Sequence, residues 1–150
     1  WHHLFHTITM LAFPVIYAAY MGVADGARAK AITVARKKPD DGNIALIAGE
    51  MENAHATADI ALADMIKIAE TEKPSPETTS RTMIRRQLVG QNAIKTVERA
   101  LELAGGAAFY RDLGLERAFR DVQAGRFHPL QEKPQLRYSG RVALGLDIDG

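Results

Sequence analysis

Apolar residues recur along this chain at alternating spacings of three and four. After Asn43 they are Ile44, Ile47, Met51, Ala54, Ala58, Ala61, Met65 and Ile68, a period that lines one face of an α-helix. A second seam holds Met83, Gly90, Ile94, Val97, Leu101 and Ala104. Upstream, a long apolar stretch predicts a first helix over residues 4–38, kinked at Pro14. Punctuation agrees with the periodicity. Pro39-Asp40-Asp41-Gly42-Asn43 stops the first helix, Lys73-Pro74 ends the second, and Ser75 with Pro76 caps and opens the third. Gly105-Gly106 closes the third, since glycine adopts positive φ freely. Two shorter helical pieces follow, over 115–124 and 132–144, and no five-residue stretch alternates like a strand. The expected fold is all-α, an antiparallel (up-down) four-helix bundle with a broken fourth helix, its short loops making neighbours antiparallel.

The chain has 150 residues, one domain's worth, with 47% hydrophobic and 25% charged residues. Its 24 alanines let helices approach closely. Nineteen Lys+Arg against 18 Asp+Glu leave a net charge of +1, which points to no polyanionic partner and no nucleic acid. The absence of cysteine excludes a disulfide scaffold, a thiolate zinc site and a cysteine nucleophile. Residues 1–24 carry no Asp, Glu, Lys or Arg and are long enough to span a bilayer. His2, His3, His6, Thr7, Thr9 and Pro14 interrupt that stretch, and an amphipathic segment follows it at once. It is therefore read as a buried bundle helix with no membrane span. No signal-peptide pattern is visible, and a cytoplasmic location is expected.

Few constellations carry chemistry. Glu52-Asn53-Ala54-His55 has the spacing of di-iron ligands but occurs once, and His2, His3 and His6 lack a supporting carboxylate, so no metal site is expected. Arg85-Arg86 and Arg36-Lys37-Lys38 are the densest basic patches, without interleaved aromatics. There is no Gly-x-Ser-x-Gly, P-loop or Gly-x-Gly-x-x-Gly motif. The last third is more informative: Glu102-Leu103-Ala104-Gly105-Gly106-Ala107-Ala108-Phe109 is followed by Glu116-Arg117-Ala118-Phe119-Arg120-Asp121.

These two segments resemble the Gln-x-x-Gly-Gly-x-Gly-Tyr loop and the Glu-(Arg/Lys)-x-x-Arg-Asp helix of the acyl-CoA dehydrogenase superfamily's C-terminal helical domain. The likeness extends from Pro14-Val15-Ile16 through residues 126–141. It implies that residues 1–150 are that domain, with an N-terminal helical domain and a middle β-domain lying before Trp1. It also implies FAD held at the interface of a dimer or tetramer, and α,β-dehydrogenation of acyl-CoA or a related small molecule. Gly105, Gly106 and Lys38 are the flavin contacts carried over. The 150 residues alone are expected to be inactive.

Departures from the pattern bear on the chemistry. The family's usual catalytic glutamate falls on Pro129, and the seat used by some relatives falls on Ala12; neither residue accepts a proton. The family's Arg-x-x-Phe-Gly reads Lys38-Pro39-Asp40-Asp41-Gly42, a later Gln falls on Gly49, and the Gln before the glycines is Glu102. An acid facing a flavin diphosphate is repelled, so Glu102 is expected to face elsewhere. His128 follows Asp121 by seven residues, the spacing found in flavin monooxygenases of this fold, where an imidazole titrating near neutral pH serves as acid/base. The alternatives to dehydrogenation are thus a flavin-dependent monooxygenase, with His128 as its catalytic residue, and a non-catalytic helical oligomerisation domain.

Overall fold

The computed structural model describes residues 1–38 and 40–150. Among them there are five α-helices and no strand: α1 (Leu4–Ala35), α2 (Gly42–Thr71), α3 (Pro76–Ala104), α4 (Leu115–Val122) and α5 (Glu132–Ala143). Short 3-10 turns at Gly105–Phe109 and Gln123–Arg126 flank α4. The all-α expectation holds, and the caps act as their residue types dictate. Asp41 accepts from the Asn43 amide at 2.8 Å and Ser75 from the Thr78 amide at 3.1 Å, each meeting one of the donors a helix start leaves open. Two local expectations fail. The first helix, which carries Pro14 inside it, ends at Ala35 and not at residue 38, with Lys37 and Lys38 closing it in turns to the Val34 and Ala35 carbonyls. The tail of α4 tightens into a 3-10 turn, with the Phe127 and His128 amides both donating to the Ala124 carbonyl. Of the segment expected to stop the first helix, Pro39 lies outside the described residues.

Cross-helix contacts set the directions. His6 of α1 meets Thr79 of α3, both near their helix starts, so α1 and α3 run parallel. Arg28 of α1 pairs with Glu52 of α2, and Asp64 of α2 with Arg85 of α3, so α2 runs against both. The core forms two clusters. One, around Ala24, Ala27, Ala31, Met51, Ile94 and Val97, lies toward the end of α1 and α3. The other, around Phe13, Tyr17, Met65, Met83, Val89 and Tyr138, lies toward their start.

The first helix is long and apolar enough to cross a membrane, but its two faces differ. His6, Met10, Phe13, Tyr17, Met21 and Ala24 are buried against the other helices. On the opposite side Leu4, Ile8, Leu11 and Val15 form an exposed apolar stripe, with Val15 72% accessible.

Candidate functional site

At the end of α3, Gly105 takes φ +68° and ψ −146°, a region open essentially to glycine alone, and its amide donates back to the Glu102 and Leu101 carbonyls. Lys38, just beyond α1, donates from Nζ to the Leu103 carbonyl at 2.7 Å. A Cβ built on Gly105 would stand 3.3 Å from that Nζ. The glycine therefore ends the helix and admits the ammonium to its negative pole. Gly106 has an ordinary φ and no atom within 4 Å of where its Cβ would be. Beside this turn is an open concavity of about 520 Å³, lined among others by Lys37, Lys38, Tyr110 and Asp112. The structure thus brings Lys38, Gly105 and Gly106 together from segments far apart in sequence. The Glu102 carboxylate is paired with Arg99, which also reaches Glu50 at 3.0 Å.

The positive charge at this turn is that of Lys38, set beside the negative pole of α3 and with Asp112 in the same concavity. The Lys38 ammonium has three donors and spends one on Leu103, while Gly106 leaves the approach open to the backbone. A phosphate oxygen would meet that point charge and the accessible main chain here.

The second region surrounds the segment between α4 and α5. Tyr17, wholly buried on α1, places its hydroxyl 3.0 Å from the Gly125 carbonyl and 2.8 Å from that of His128. Arg86, wholly buried on α3, lies over the Tyr17 ring, 5.3 Å from its centroid. One of its amino groups donates to the Leu130 carbonyl and the other to Gln87 Oε1 at 2.5 Å. Burial pushes the Tyr17 phenol up to about 12, with the neighbouring Arg86 charge opposing the rise. Burial likewise lowers the Arg86 guanidinium, against the pull of Tyr17 and Glu132. At Gly90 a Cβ would stand 3.2 Å from the Gly125 carbonyl oxygen and 3.2 Å from the Tyr17 ring, so main chain meets main chain there. A cleft of about 300 Å³ opens beside this contact, lined by Gln87, Gln91, Phe127 and Gln131 among others. The His128 side chain is exposed, as is Pro129, and the peptide between them is cis.

The two regions do not meet. Gly90 and Gly105 are fifteen residues apart on one helix, or about 22 Å along its axis at ~1.5 Å per residue. Gly90 belongs to the seam read from the sequence, whereas no motif singles out Arg86 or Tyr17 as a support for this segment. Arg86 was grouped with Arg85 as a basic patch, yet only Arg85 behaves as a surface cation, pairing with Asp64 at 2.7 Å. The signal was available: the α3 seam steps from Met83 to Gly90, and Arg86 fills the skipped position. The residues tested as metal ligands are otherwise engaged. Glu52 is held by Arg28 in a bidentate pair at 2.7 Å, and His55 meets Asp25 at 2.6 Å. His6 lies 2.8 Å from the Thr79 hydroxyl.

The family model described as acyl-CoA dehydrogenase, C-terminal domain, matches residues 15–132. Amino sugar nitrososynthase RubN8 of Streptomyces rubradiris is 32% identical over 142 residues, covering 87% of this chain and 34% of the relative. Amino sugar nitrososynthase DnmZ of Streptomyces peucetius is 28% identical over 137 residues, covering 84% of this chain and 34% of the relative. The chain thus spans about a third of the length of these curated relatives. The structure of KijD3 in complex with FMN and dTDP-3-amino-2,3,6-trideoxy-4-keto-3-methyl-D-glucose superposes with a TM-score of 0.82 at 22% identity, covering 97% of this chain and 39% of that one. At that identity the match speaks for the fold.

Proposed function

Because the chain belongs to the acyl-CoA dehydrogenase C-terminal domain family, we propose that it is the helical part of a flavin-dependent oxidoreductase that oxygenates a small-molecule substrate. The observation that carries this reading is the chemistry of the two base positions. They hold Pro129 and Ala12, which cannot take a proton from an acyl thioester. Beside Pro129 stands His128, whose exposed imidazole can give or accept one. The likeness to amino sugar nitrososynthases supports an amine-bearing sugar as substrate class. Dehydrogenation of an acyl-CoA is the second reading, favoured by the match to the family model itself.

A bound flavin, FAD or FMN, supplies two-electron redox chemistry and, once reduced, reaction with oxygen. Gly105, Gly106 and Lys38 would hold its phosphate oxygens, and His128 would move a proton at the reacting end. About 22 Å of helix separates the two regions, so in one copy they would serve different flavins, with a neighbouring copy completing each site. The exposed stripe of Leu4, Ile8, Leu11 and Val15 provides a face for that association. On this reading α4 and α5 together form the broken fourth helix of an up-down bundle.

The test uses the full-length protein. Reduced FMN or FAD is bound anaerobically, oxygen is admitted, and flavin absorbance is followed by stopped flow. His128→Ala is expected to change the reoxidation rate at least about tenfold, and butyryl-CoA to leave oxidised flavin unbleached without oxygen. Anaerobic bleaching by butyryl-CoA establishes the dehydrogenase instead. Failure to bind either flavin leaves the oligomerisation domain.

A further inference from the structure

Arg86 is a fully buried cation with no ion pair among the described residues, and its Nε has no hydrogen-bond partner. Removing a guanidinium from water costs several kcal/mol unless an opposite charge and full hydrogen bonding offset it. An apolar side chain of similar volume would fill the same space without that cost. What the guanidinium supplies, and methionine or leucine would not, is a donor reaching out of the core to the Leu130 carbonyl. Its neighbour Tyr17 has a single hydroxyl proton, shared between the Gly125 carbonyl at 3.0 Å and the His128 carbonyl at 2.8 Å. Three main-chain oxygens within six residues are thereby tied to two buried side chains, one from α1 and one from α3. The tie grips backbone only, and the imidazole between these anchors stays in solvent.

We propose that Arg86 is a positioning residue which, together with Tyr17, fixes the 125–130 segment so that His128 is presented at a set place and angle. This rests on the reading of His128 as the acid/base group. It assigns the buried charge to the precision of that group, since a rotamer-rich side chain on an unanchored loop would lose orientation and with it rate.

The test again uses the full-length flavin-loaded protein and has two independent readouts. The first is hydrogen–deuterium exchange of the 125–131 amides. Arg86→Met should speed their exchange at least about tenfold while the amides of residues 105–108 stay unchanged. The second is the oxygen-dependent reoxidation rate of reduced flavin in a double-mutant cycle with His128→Ala. Arg86→Met should shift that rate as His128→Ala does, add nothing in the His128→Ala background, and be partly rescued by Arg86→Lys. Unchanged exchange in Arg86→Met overturns the proposal. So does faster exchange with an unaltered reoxidation rate, or a rate change that persists undiminished without His128. If His128→Ala alone leaves reoxidation untouched, the acid/base reading falls, and with it the presentation of His128. Exchange then still reports whether Arg86 holds the segment, so the two failures are told apart. Where Arg86→Met does not fold, Tyr17→Phe, which deletes a single hydroxyl, enters the same cycle with the same expectations.

Discussion

The two regions of interest are built from opposite materials. At the end of α3 the structure is made by the main chain: one glycine in a conformation other residues avoid, a second left open, and a lysine drawn to the helix pole. Around the 125–130 segment it is made by buried side chains, with a charge and a phenol used as struts. A site for a phosphate needs only accessible donors and positive charge, which the surface provides cheaply. A group that moves a proton must be held in place, and that requires support from inside.

The largest test of this contrast is Gly90→Leu. Its Cβ would meet the Gly125 carbonyl and the Tyr17 ring at 3.2 Å, and neither can retreat without moving α4 or α1. A loss of about 3 kcal/mol in urea denaturation is expected. A loss under about 1 kcal/mol would mean the helices are less tightly apposed there. Next comes Gly105→Ala, which forces a Cβ onto the φ +68° backbone beside Lys38 and should cost about 2 kcal/mol. Gly106→Ala, one residue on, should stay within about 0.5 kcal/mol. Equal costs at the two glycines would remove the conformational argument for the first. The smallest effect is visible only in alkali. Tyr17 and Tyr138 are both pushed up to about 12, burial being the main cause. Each is neutral in the folded protein at a pH where the unfolded chain has begun to ionise. Their contribution to stability is complete below about pH 10 and disappears as the pH rises toward about 12. Tyrosinate absorbance should show these two phenols, and Tyr20, which burial also raises, titrating late, and Tyr17→Phe should remove one of them. A Tyr17 that ionises near pH 10 would mean that water reaches its hydroxyl.

Much of the scaffold could be read in advance, because helix seams and caps are local. Ser75 and Pro76 announce the start of α3, and Gly105 its end, through chemistry that each residue carries by itself. Pro14 carries an equally local signal, but how the bundle accommodates it depends on Met10, Phe13 and Tyr17, buried against the other helices. The candidate site divides in the same way. The Gly105 turn was legible because its conformation demands glycine. Lys38 was placed with it by resemblance, and only the three-dimensional contact with Leu103 gives a physical cause. Arg86 was misread since adjacent arginines look alike in a sequence, while a helix turns them about 100° apart. One points to Asp64 and water, the other into the core.

The meeting of Gly90 with Gly125 also limits how this architecture can vary. Two backbones in van der Waals contact act as a fixed peg, so a residue inserted into or deleted from the stretch after Gly106 must be absorbed before Leu115. Otherwise α4 would slide along α3 and carry a side chain into a gap sized for hydrogen. Length changes among homologous chains should therefore concentrate in residues 109–114, leaving the distance from Leu115 to Gly125 constant.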